Sequence, residues 1–224
     1  MMIGPDTFYE MNLKGKTAEE IMTEIRKLKR EIGRLKNIME HPEYVCTMHP
    51  SEDVRISCSR DYLKQAIEAY EKAGGEYVPS VAEKKAMDFD QNIPHISKIE
   101  FTIGGFFEGF KTITYIVEGD KIHANFVLPF TRPINDIGDS ELDGISIDFF
   151  YHELYELHIG EWRKNYDTKR FGYTVCDGTQ WELKIDFSND HKPVKISGSN
   201  SYPYNFNRLL SFFCEPELDE DEEA

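Results

Sequence analysis

Cysteine is scarce in this chain: Cys46, Cys58, Cys176 and Cys214 are the only four among 224 residues. That is too few to staple a chain of this length, so its fold must rest on a buried core, and the thiols are expected reduced, as in a cytosol. Long apolar runs are missing as well. Nothing approaches the ~18 residues of a membrane span, and the opening stretch, residues 1–16, lacks the apolar core of a signal peptide. Basic residues are in deficit, with 26 Lys and Arg against 41 Asp and Glu, a formal charge of −15 and a pI near 4.9. The deficit argues against direct binding of nucleic acid, whose footprint is basic. It suits a partner that is itself basic, because opposite fields steer encounter. A phosphate loop is lacking too: in the glycine-rich stretch from Gly104 to Phe110, Phe110 stands where the loop needs a lysine, directly after Gly109.

What is present is globular. Hydrophobic residues make up 40% and aromatics 13%, enough to bury a core in one or two domains. Near the start, Ile21, Ile25, Leu28, Ile32, Leu35 and Met39 step by four and three in alternation. That heptad spacing lays one narrow apolar seam along a helix. Thr17 with Glu20 forms a capping box, so the helix is expected over 17–39, closing before His41-Pro42. A second helix is expected over 59–73, capped by Ser59 and ended by Gly74-Gly75.

The seam has two possible mates. An antiparallel hairpin would fill it with Leu63, Ile67 and Tyr70 of the second helix. A parallel homodimer would place Glu24 against Lys29 and Glu31 against Lys36 across a two-fold axis.

Residues 1–75 thus form a helical arm, and 76–96 a linker with a short helical piece around Val81–Met87. From Ile99 the period drops to two. Ile99, Phe101 and Ile103 mark one strand, Phe110–Val117 a second, and Ile122–Leu128 a third across the Gly119-Asp120 turn. A helix is expected over 146–164. Then come Tyr173–Val175, the Asp177-Gly178 turn, Trp181–Phe187 and Val194–Ile196, and a final helix containing Phe206, Leu209, Leu210 and Phe213. The expected class is α+β: a helical arm, then an antiparallel sheet of two three-stranded meanders, each followed by a helix (βββα-βββα), over 97–214. Residues 215–224 are nearly all acidic and expected to be a disordered tail.

Catalytic motifs are incomplete. His152-Glu153 begins like a zinc-protease helix, but position 156 is Glu156, so the second histidine four residues on is missing. Cys46, His49 and Cys58, with His41 nearby, have the spacing of a zinc half-site and make a zinc-stabilised module or metal-dependent enzyme one alternative; no cofactor or metal is assigned. Within Gly104–Phe110, Phe106 or Phe110 is expected in the core, and Phe107 is kept as a protruding aromatic contact.

The function expected is therefore non-enzymatic. An acidic, cytoplasmic, dimeric protein would bind a protein partner, in its sharper form by occupying a basic nucleic-acid-binding groove as an inhibitor of the anti-CRISPR or anti-defence type. Asp136, Asp139, Glu141, Asp143 and Phe107 are the partner-binding candidates. A structural coiled-coil assembly protein is the remaining alternative.

Overall fold

The computed structural model describes residues 3–46, 49–127, 146–175 and 177–213, and the backbone of 140–141. The acidic tail expected at 215–224 and the thiols Cys176 and Cys214 lie outside the described residues. The chain divides into two compact units, Met1–Ser80 and Val81–Ala224.

The first unit holds three helices, α1 (Pro5–Asn12), α2 (Ala18–Met39) and α3 (Glu52–Lys72). The capping box starts α2 as the sequence predicts: the Thr17 hydroxyl accepts from the Glu20 N–H, and the Glu20 carboxylate accepts from the Thr17 N–H at 2.9 Å. Ile21, Ile25, Leu28, Ile32 and Leu35 are buried, with Met39 half-buried at the end. Helix α3 of the same chain packs on α2. It offers Ile56, Ser59, Tyr62, Ala66 and Ala69, mostly small residues that let the two axes approach; Leu63, Ile67 and Tyr70, the expected partners, are only half-buried. Phe8 of α1 stacks on Tyr62 with ring centroids 4.3 Å apart.

Ser59 is therefore not a cap. It sits inside α3, which starts eight residues earlier behind Ser51, with Glu52 and Asp53 complementing the helix dipole in its first turn. Two of the charges assigned to the dimer register have partners within the chain. Glu24 pairs with Lys27 at 3.0 Å, and Glu31 holds Arg34 and Arg55, each at 2.7 Å. The second of these joins α2 to α3. The Arg34 guanidinium, with help from Arg55, holds the Glu31 carboxyl below its ordinary range against the opposing effect of burial.

The second unit comprises α4 (Val81–Asn92), β1 (Ile96–Gly105), β2 (Gly109–Glu118), β3 (Lys121–Val127), β4 (Ser140–Glu141), α5 (Ile147–Glu156), β5 (Asn165–Asp167), β6 (Gln180–Phe187), β7 (Val194–Ser199) and α6 (Phe206–Phe212). The sheet runs β4-β3-β2-β1-β6-β7-β5. All neighbours are antiparallel except β5 and β7, which are parallel, so the sheet is mixed rather than purely antiparallel. The βββα-βββα arrangement is not confirmed either: β4 adds a fourth strand before α5, and β5 pairs with β7 in parallel, so the second half is no meander. Residues 173–175 are not a strand, because β6 has only two edges and both are taken, by β1 and by β7. The strand that completes this half is instead the three-residue β5, beyond β7. Helix α5 ends at Glu156, and Val81–Asn92, expected mostly as linker, is a helix that places Phe89 in the core.

One sheet face is apolar. Cross-strand rows such as Phe126, Ile113, Phe101, Leu183 and Ile196 follow directly from the register. Phe89, Phe150, Leu154, Leu157, Phe206, Leu209, Leu210 and Phe213 join them in one cluster, so α4, α5 and α6 lie on that face. Gly160 marks a close approach: a Cβ there would lie 2.8 Å from the Ala86 Cα and 2.9 Å from the Phe89 Cβ. Gly160→Ala is expected to cost about 1–3 kcal/mol, the usual range for overpacking, seen as a lower denaturation midpoint with no change in m-value.

The opposite face is polar. Glu100 accepts from Lys98 at 2.9 Å and from Lys184 at 3.0 Å; Glu182 accepts from Lys184 at 2.9 Å and from Lys195 at 2.6 Å. Lys98 and Lys184 hold the Glu100 carboxyl below its ordinary value. Burial opposes the same shift at Glu182, but Lys195 and Lys184 prevail and lower it too. A carboxyl depressed in the folded state stabilises it above the unfolded value near 4.5, and that contribution is lost as pH falls through the lower folded value. Thermal midpoints are accordingly expected to fall as pH drops from about 5 to 3, and Glu100→Gln to make that fall shallower.

Candidate functional site

Strands β1 and β2 pair without interruption to Gly105 opposite Gly109. Gly109 has φ +77, which L residues rarely adopt, and a Cβ on Gly104 would sit 2.7 Å from the Phe110 Cα. Glycines thus let the two strands pinch together, and the turn must carry Phe106, Phe107 and Glu108 outward. Phe106 and Phe107 are 81% and 79% exposed and meet edge to face with centroids 5.2 Å apart. Phe110, on the strand behind them, is 46% exposed. The expectation that Phe106 or Phe110 enters the core is therefore corrected. The alternation that buries Ile103 and Ile113 ends at the glycines, and among the described residues neither Phe106 nor Phe110 joins the core cluster. Phe107 stands out as the sequence allows, and Phe106 beside it is the residue missed. Two adjacent aromatics between glycines were the signal.

From Gly105 to Gly109 the only titratable side chain is Glu108. The tip therefore offers apolar surface on a pre-ordered scaffold rather than reactivity. Each ring left in water forgoes about 2 kcal/mol of burial.

The other candidates separate. Asp136, Asp139 and Asp143 lie outside the described residues, and Glu141 is placed by its backbone alone, opposite His123 in the sheet. The acidity itself is unevenly spread. Residues 1–80 carry fourteen acidic and twelve basic side chains, residues 81–224 twenty-seven acidic and fourteen basic, and seven of the last ten residues are Asp or Glu.

Among the described residues no group of three His, Cys, Asp or Glu is placed to hold a metal. Cys46 and His49 are exposed, whereas Cys58 packs half-buried against the helical core, so the suspected half-site is not assembled. The loop before α3 is tied down differently: the Tyr44 hydroxyl donates to the buried Glu52 carboxylate at 2.8 Å, and burial, aided by this bond, pushes the Tyr44 pKa well up. On α5, His152 is exposed, and Glu153 and Glu156 receive the Arg208 guanidinium of α6 at 3.2 and 3.4 Å. That pairing clamps two helices together. No helix among the described residues is long and apolar enough to cross a membrane. No family model, no curated protein and no solved structure matches the chain.

Proposed function

We propose that the chain is a non-enzymatic binding protein whose β1–β2 tip, led by Phe106 and Phe107, enters an apolar pocket on a basic protein partner. The observation that carries this is the exposure of both rings on a hairpin whose strands are paired to the last residue, so that little ordering entropy opposes docking. The excess of negative charge in residues 81–224 steers the approach. In its sharper form the partner's pocket adjoins a basic groove that otherwise holds nucleic acid, and the protein acts in the cytoplasm as an inhibitor of the anti-defence type. Asp136, Asp139, Glu141 and Asp143 then supply negative potential beside the aromatic anchor. Association of two copies would have to use a surface other than the apolar stripe of α2, which α3 covers.

The partner retained by the wild-type chain, once isolated, tests this. Truncation of central aromatic anchors costs about 2 kcal/mol each, roughly thirty-fold in affinity. The double variant Phe106→Ala/Phe107→Ala is expected to lose binding by at least that factor with its thermal midpoint unchanged. Wild-type binding is expected to weaken steeply from low to moderate salt. Equal affinity of variant and wild type, or indifference to salt, would count against the proposal.

A further inference from the structure

The outer face of α2 carries a charge opposite to that of the chain as a whole. Between residues 26 and 36 there are six Lys or Arg and one acid, Glu31, which is already held by Arg34 and Arg55. Arg26, Lys27, Arg30 and Arg34 are all exposed on the side away from α3. Lys27 is paired with Glu24, and the Arg30 Nε donates only to its own helix, to the Arg26 carbonyl at 3.2 Å. At 1.5 Å per residue, Arg26, Arg30 and Arg34 stand about 6 Å apart along the axis, a row of guanidinium groups in which Arg34 already gives its Nε and Nη2 to Glu31. Glu19 and Glu20 lie toward the N-terminal end of this helix, beyond the row.

Gly33 supplies the second observation. It lies in mid-helix, where glycine costs about 1 kcal/mol against alanine. A Cβ there would meet nothing within 4 Å, so no packing requires its absence. With 3.6 residues per turn, Arg26, Arg30, Gly33 and Asn37 fall within about 60° of one another. The one position stripped of a side chain thus borders the cationic face beside Arg26 and Arg30, where it lets a ligand lie close to the helix next to the arginines.

We propose that this face binds the phosphodiester backbone of a nucleic acid, without reading its bases. The row consists mainly of arginines, suited to forked contacts with phosphate oxygens, and the one exposed large apolar side chain of this helix, Ile38 near its C-terminal end, is too little to anchor a folded protein partner. Whole-chain charge predicts no direct contact with nucleic acid. At 0.1 M salt, however, charges beyond about 10 Å are largely screened, so the local sign governs. The inference stands apart from the hairpin contact, which belongs to the other unit.

The test is fluorescence anisotropy of the full chain with a labelled duplex DNA, a labelled single-stranded RNA and labelled poly-glutamate, over a salt series. The wild type is expected to bind at least one oligonucleotide, with a log–log salt slope of about −2 to −3. Arg26→Gln/Arg30→Gln is expected to weaken binding about ten-fold or more and to reduce the slope in magnitude by up to 2. Gly33→Gln, which fills the notch with a good helix former, is expected to raise the thermal midpoint while weakening binding. No oligonucleotide binding at low salt, binding unaffected by the arginine or glycine changes, or poly-glutamate bound as tightly as nucleic acid would each overturn the proposal.

Discussion

Replacing Ile25 and Ile32 together with lysine is expected to unfold the first unit and leave the second folded. Both side chains are buried under α3, at 1% and 9% exposure. Each lysine would either bury an ammonium or push α3 away, costing several kcal/mol per site, beyond the usual stability of a unit this small. The chain reports the outcome by itself. Its two tryptophans, Trp162 and Trp181, both belong to the second unit and are buried in its core. Helical circular dichroism should therefore drop while tryptophan emission stays put. A parallel dimer through the same stripe would respond otherwise, by halving in mass with its helices retained.

Phe213→Ala is expected to have a comparable effect in the second unit, about 3–5 kcal/mol. Phe213 is 1% exposed and follows the last residue of α6. Its ring stacks on Phe101 at 4.9 Å and on Tyr115 at 5.1 Å, and meets Phe212 edge-on at 5.1 Å. Phe101 and Tyr115 come from adjacent central strands, so truncation opens a cavity between sheet and helix that neither rigid side can close. Denaturant unfolding followed by tryptophan emission should show the loss, and the cost of Phe213→Leu should be clearly smaller. A loss below about 1 kcal/mol for alanine would mean that the ring is not packed as described.

The sequence made these cores legible to different degrees. The α2 stripe and its capping box were plain because periodicity and cap chemistry agree over a long helix. Strands β1, β2, β3 and β6 were legible because one face of each is apolar and the other polar. What was hidden depends on tertiary context. Residues 57–60, Ser-Cys-Ser-Arg, look like a helix start, yet Ser59 is a small buried residue within α3. Tyr173 and Val175 look like a strand, and only the sheet order shows that no edge of β6 is left for them. Asn165–Asp167 has too few residues to show any period. At the candidate site, Phe107 could be picked out from the glycines around it. The exposure of Phe106 depended on how far strand pairing runs, which composition does not disclose.

The contact itself can be read by photo-crosslinking. A photoreactive residue placed at Phe107 is expected to give an adduct with the partner, and the same residue at Asp190, in the turn between β6 and β7 at the far end of the sheet, is expected to give none. Equal adducts from both positions, or an adduct from Asp190 alone, would contradict a hairpin tip that docks.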